Sequence, residues 1–352
     1  MKYIIITLFI LLSLSCSNSW ENIIDTNSNK ALSTEILSWS TTSQEQNDEI
    51  ISPQEGIIQY STLSLSTLMQ EEIVWNDFTL EEVLATNSSY TRYRISYKNG
   101  DIYLSGIMNI PAWDGPFPLL VLNHGYIDPR YYTNGRGLKR EQDYFARNGF
   151  AVIHPDYRNH ALSDKVDEEP YDFRLGYMQD VIASIKALQN ANIAELVSVD
   201  SSRIWMLWHS MWSWIAQNIA VSHPDIIQAM LLYWPVSNNE YTNFEKFQLP
   251  NPARSERIEQ VTNDHQTPLE NPTFWAWISS STFFENIKIP FIIFTGTADS
   301  DTPTQWAQNI YQDLQDAWVE SEIISYQWEW HEFSREWSDF MERSKEFFIK
   351  NL

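Results

Sequence analysis

From residue 118 onward, short unbroken apolar runs alternate with amphipathic stretches. The runs at 118–123, 150–154, 204–207, 229–233 and 291–295 have strand length and no polar alternation, as expected of parallel strands covered on both faces. Stretches at 176–189 and 304–316 carry helical spacing between them. The alternation predicts an α/β fold with a mostly parallel, doubly wound sheet. Upstream, residues 93–97 and 102–107 read as strands around Lys98-Asn99-Gly100-Asp101, whose Asn-Gly pair marks a hairpin turn. Residues 237–286 are polar with weaker strand signals and read as a cap inserted between sheet elements. No internal repeat is visible.

The N-terminus follows another pattern. Lys2 precedes an apolar run at 3–12 that is too short to span a bilayer comfortably, the layout of an export signal. The chain's one cysteine, Cys16, closes Leu12-Ser13-Leu14-Ser15-Cys16, which resembles a bacterial lipobox although Ser13 stands where an aliphatic residue is usual. The expectation is a signal peptide over 1–16, lipidation at Cys16 and an exported protein held on the extracytoplasmic side of a membrane by that anchor; an ordinary cleaved signal would make it secreted or periplasmic. Residues 17–74 are rich in Ser, Thr, Asn and Gln and read as a polar tether, leaving 75–352 as the folded domain. A single cysteine excludes an internal disulfide.

Composition changes the picture twice. The formal charge of −23 argues against nucleic acid, which demands a basic face. Glycine occurs 10 times and tryptophan 16 times, whereas usual composition would give roughly 25 glycines in such a chain.

That imbalance meets the chemistry at Arg203-Ile-Trp-Met-Leu-Trp-His-Ser-Met-Trp-Ser-Trp214. A strand runs into Ser210 and a helix leaves it, the setting of a G-x-S-x-G nucleophile elbow, but Trp208 and Trp212 occupy both glycine positions. Glycines stand there because side chains would strike the neighbouring strand or helix. Trp205 and Trp214 also fall where close packing wants small residues. Trp328 and Trp330 precede His331, Trp318 ends a helix, and Trp113 sits in a turn-rich loop. UGA is a stop codon in the standard code, tryptophan in one variant code and glycine in another. Translating a glycine-decoding gene with the tryptophan table produces this pattern, and Trp275 and Trp306 sit where an aromatic is comfortable.

With glycine at 208 and 212, the elbow joins four further segments: Asn123-His124-Gly125-Tyr126, Asp156-Tyr157-Arg158, Gly296-Thr-Ala-Asp299-Ser-Asp301-Thr-Pro303, and His331. Together they resemble the catalytic domain of the prolyl oligopeptidase (S9) family, with its dipeptidyl-aminopeptidase-like and esterase-like relatives, over roughly residues 75–352. The resemblance implies an α/β-hydrolase fold and a serine hydrolase; no propeller-sized region precedes the matching segments. The fold's chain order is Ser, then Asp or Glu, then His, and His331 alone among the seven histidines follows Asp299. Ser210 is then the nucleophile, His331 its base and Asp299 the orienting carboxylate. Asp301 competes for that last role, and the family pattern G-x-x-D-x-x-[VT]-P selects Asp299. The oxyanion hole is expected from the backbone N–H groups of Met211 and Tyr126. His124, His209, Asp156 and Arg158 read as structural, the last two holding a loop by ion pairing.

The expected reaction is acyl transfer to water on a peptide, or alternatively on a small carboxylic ester. No metal or cofactor is called for. If the elbow tryptophans are real, the rival expectation is a non-catalytic exported binding protein.

Overall fold

The computed structural model describes residues 64–166 and 175–351; Cys16, the signal segment and most of the tether lie outside them. Nine strands form one sheet: β1 (Trp75–Thr86), β2 (Tyr90–Asn99), β3 (Ile102–Pro111), β4 (Phe117–Asn123), β5 (Ala151–Pro155), β6 (Val199–His209), β7 (Ala229–Tyr233), β8 (Phe291–Gly296) and β9 (Ser321–Tyr326), in the order β1-β2-β3-β5-β4-β6-β7-β8-β9. The first pairings, out to β3 with β5, are antiparallel, and every later one is parallel. The Asn-Gly turn lies as read, with Asn99 opposite Ile102 and Gly100 at φ +59°.

The central strands are apolar throughout because both faces are covered: β4, β7 and β8 are buried along nearly all their length. One face packs on α3 (Leu175–Gln189), α4 (Ser213–Ser222) and α8 (Thr304–Asp316) through Val181, Ile215 and Ile310. The other packs on α2 (Lys139–Arg147) and α9 (Trp337–Lys350) through Phe145, Phe340 and Phe348. Truncating such a side chain to alanine costs about 2–5 kcal/mol. Between β7 and β8 the chain is helical, with α5 (Glu240–Phe247), α6 (Ser255–His265) and α7 (Pro272–Trp277). Among the described residues no helix is long and apolar enough to cross a membrane.

Three features depart from the sequence reading. Strands begin at Trp75, because β1 is an edge strand whose outer positions are solvent-exposed and whose register shifts three times, which erases its alternation. The last residues assigned to the tether belong to the core: α1 (Leu65–Leu68) buries Leu65 and Leu68. Trp205, expected to crowd its surroundings, is buried between Phe150 and Phe348 with its indole N–H on the Asn351 carbonyl at 3.2 Å.

Candidate active site

The chemistry collects at the carboxyl ends of β6, β8 and β9, where open α/β sheets place their crevices. β6 ends at His209, and Ser210 follows with φ +59°, a left-handed backbone that a non-glycine residue adopts only when its surroundings enforce it. A short 3₁₀ turn leads directly into α4. Strand, strained serine and helix together make the elbow geometry. Ser210 is 9% exposed, so its hydroxyl borders solvent rather than floating in it.

Ser210 Oγ lies 2.5 Å from His331 Nε2, and His331 Nδ1 lies 2.8 Å from Asp299 Oδ2. The carboxylate can only accept, so Nδ1 carries the proton and Nε2 faces the serine as an acceptor. Asp299 also accepts the N–H of Asp301 (2.7 Å), the N–H of Thr302 (3.1 Å) and the Thr302 hydroxyl (2.6 Å). Burial pushes the Asp299 carboxyl up, but the bonds from His331 and Thr302 outweigh it and hold the group below its usual range. Asp301 is exposed, and its backbone serves Asp299.

The segment after β4 backs onto Ser210. A Cβ on Gly125 would stand 2.9 Å from Ser210 Cβ and 3.1 Å from His209 Nδ1, which leaves room for glycine alone. Tyr126 follows and is 42% exposed. Met211, on the other side of Ser210, lines a cavity of about 40 Å³ with Trp214, Val236, Phe244 and Val261, and Glu240 contributes to its wall.

Of the four supporting residues, Asp156 and Arg158 depart from expectation. His124 is buried, with Nδ1 2.6 Å from the Gly125 carbonyl, and burial drives its pKa well down. His209 turns Nε2 toward the His331 carbonyl at 3.0 Å, and burial followed by the nearby imidazole lowers its pKa to about 3. Asp156 makes no ion pair with Arg158. It accepts from Ser105 Oγ, Tyr132 Oη, Asn134 Nδ2 and Gly135 N at 2.5–2.8 Å, while Arg158 forks onto buried Asp180 at 2.7 and 2.9 Å. The loop is thus held by hydrogen bonds, and the ion pair belongs to a helix 22 residues on. Sequence reasoning missed Asp180, Thr302 and Glu329; only the Asp-x-x-Thr spacing of Asp299 and Thr302 carried a local signal, that of a side chain closing its own turn.

Among the described residues, Asp299, Asp301 and His331 bring metal-ligand atoms within 4.8 Å of one another. Two of the three already bind each other.

Comparison with known proteins adds three findings. A family model described as the prolyl oligopeptidase family matches residues 137–352. No curated protein matches the chain in sequence. Among solved structures, Pyrococcus horikoshii acylaminoacyl peptidase superposes with a TM-score of 0.59 at 18% identity, covering 75% of this chain and 42% of that one. Porphyromonas gingivalis dipeptidyl peptidase 4 gives 0.54 at 16%, covering 78% and 35%. An acetyl xylan esterase from Paenibacillus sp. R4 gives 0.59 at 18%, covering 87% and 97%. The chain therefore spans less than half the length of the two peptidases, and identities this low speak for the fold alone.

Proposed function

The chain belongs to the prolyl oligopeptidase family of serine hydrolases, and from that premise we propose that it cleaves peptide bonds through an acyl-enzyme formed on Ser210. The observation that carries this reading is the unbroken contact chain from Ser210 Oγ through His331 to Asp299, with the serine held at positive φ on an elbow. His331 Nε2 takes the hydroxyl proton as Oγ attacks the carbonyl carbon, and Asp299 steadies the imidazolium. The carbonyl oxygen gains the negative charge. The N–H groups of Met211, next to Ser210 in the chain, and of Tyr126, next to Gly125, are assigned to receive it. His331 then returns the proton to the leaving amine, and water repeats the sequence to free the acid.

A second reading, hydrolysis of small carboxylic esters, has two supports. A small, partly apolar cavity lies beside Met211, the residue after Ser210. The superposition with the acetyl xylan esterase also covers nearly all of that protein. Export and a lipid anchor at Cys16 remain part of the proposal and are tested by metabolic labelling with a fatty acid.

Turnover of aminoacyl p-nitroanilides and of p-nitrophenyl acetate separates the two readings. Peptidase action predicts cleavage of both, and esterase action cleavage of the acetate alone. Ser210→Ala is expected to lower either activity by about 10⁶-fold, and a variant that keeps turning over would remove Ser210 from the mechanism.

A further inference from the structure

We infer that Glu329 is the positioning residue that holds His331 against Asp299, an inference resting on the triad reading above. Glu329 lies two residues before His331 and is fully buried. Its Oε1 accepts the N–H groups of Arg335 (2.7 Å) and Glu336 (2.8 Å). Its Oε2 accepts the N–H of Ser334 (3.0 Å) and that residue's hydroxyl (3.3 Å). These three residues lead into α9, so the carboxylate closes the His331 loop on itself and onto a helix N-terminus that favours negative charge. Burial raises the Glu329 carboxyl, but the bonds from these backbone groups outweigh it and keep the group ionised.

The same residue also faces the other way. Its carbonyl accepts the N–H of Ala298, the residue before Asp299, at 3.1 Å. A Cβ on Gly296 would stand 2.3 Å from that carbonyl, so the loop carrying the base and the turn carrying the acid meet at backbone distance. Glu329 thus fixes both ends of the Asp299–His331 hydrogen bond without touching substrate. A misplacement of about 1 Å at such a bond costs on the order of 10²-fold in rate.

The test compares wild type, Glu329→Ala and Glu329→Gln by fluorophosphonate labelling rate, kcat and KM, each normalised to folded protein from thermal melts. The expected result is a kcat and labelling rate lower by about 100-fold in the alanine variant, KM little changed, and partial rescue by glutamine, which keeps one acceptor oxygen. Unchanged rates per folded molecule in the alanine variant overturn the inference. Should that variant not fold, wild-type rates in the glutamine variant overturn it equally. Wild-type protein that does not label at all sinks the triad reading, and Glu329 with it; labelled wild type and equally fast variants sink Glu329 alone.

A separate observation carries a second inference: we infer that positions 208, 234, 318 and 328 are glycine in the protein as its own ribosomes make it. Trp318 has φ +62° and is 96% exposed just past α8, where Val319 N reaches the Leu314 carbonyl at 2.9 Å and Trp318 N that of Gln315 at 3.0 Å. That closing pattern places glycine at the left-handed position. Trp328 has φ +65° and is 70% exposed. Trp234 has φ +49° and is fully buried. Trp208 is fully buried at the first elbow flank, and its indole N–H and that of Trp234 find no acceptor among the described residues. Buried indoles ordinarily find one, and bulky residues avoid positive φ.

Trp275 and Trp337 behave as tryptophans do, donating to the Gln266 carbonyl (3.0 Å) and Glu141 Oε1 (3.1 Å). The codons in the gene, together with mass-spectrometric sequencing of the native protein, decide the matter. The expected result is UGA with glycine at the four positions and UGG with tryptophan at 275 and 337. UGG at the four, or UGA read as tryptophan, overturns the inference.

Discussion

The two halves of the site meet the same requirement, to hold one side chain still, in opposite ways. On the acid–base side, Asp299 takes four hydrogen bonds and Glu329 four more, and the loops there are secured by polar groups that find partners. On the nucleophile side, Ser210 sits at φ +59° in a tight strand-to-helix turn, with Gly125 packed so close that a Cβ there would stand 2.9 Å from Ser210 Cβ. The first half is stable by satisfaction. The second depends on packing to keep a strained backbone in place, and a side chain of the wrong size there damages the scaffold itself.

The comparison predicts where damage shows. Asp299→Asn breaks the satisfied half, since an amide can present N–H to His331 Nδ1 and favour the wrong tautomer; turnover is expected to fall by about 10⁴-fold. Asp301→Asn, measured alongside, should change kcat/KM only a few-fold because its backbone, not its carboxylate, serves the turn. Equal losses in the two variants would erase the distinction between them.

Arg158→Ala damages neither half. It leaves the buried Asp180 carboxylate without its cation, with only the Asn99 amide and the backbone N–H of residue 158 as donors, and urea denaturation is expected to show a loss of about 3 kcal/mol, with kcat per folded molecule unchanged. A kcat that falls with stability would place this pair inside the site's support.

The smallest effect concerns pH and His209, which bridges the halves. Its folded pKa of about 3 lies below the ordinary 6.5, so the unfolded chain binds the proton first. Its contribution is present above about pH 6.5 and declines as pH falls toward 3, at about 1.4 kcal/mol per unit. His209→Asn should flatten that slope in melts recorded across this window, and an unaltered slope would assign the acid sensitivity to other groups.

Legibility divided along physical lines. The central strands were readable because burial on both faces removes alternation and leaves bare apolar runs, as at β4 and β8. Ser210, Asp299 and His331, far apart in the chain, could be grouped from their order along it, and the structure brings their side chains into contact. β1 was not, since an exposed, bulged edge carries no periodic signal. Arg158 and Asp180 meet through tertiary packing of β5's loop on α3, which no local pattern encodes. Glu329 was hidden for a related reason: its partners are backbone N–H groups, and those look alike in every sequence.

His209 N–H to the His331 carbonyl is a contact between neighbours in space that are 122 positions apart in the chain. It clamps His331 to the residue preceding Ser210, so their spacing does not depend on the route the polypeptide takes between them. The helices from α5 to α7 hang on that route. They anchor in the core through Phe244, Val261 and Phe274, so the contact ties two ends of the chain together while the segment between them is held by its own packing.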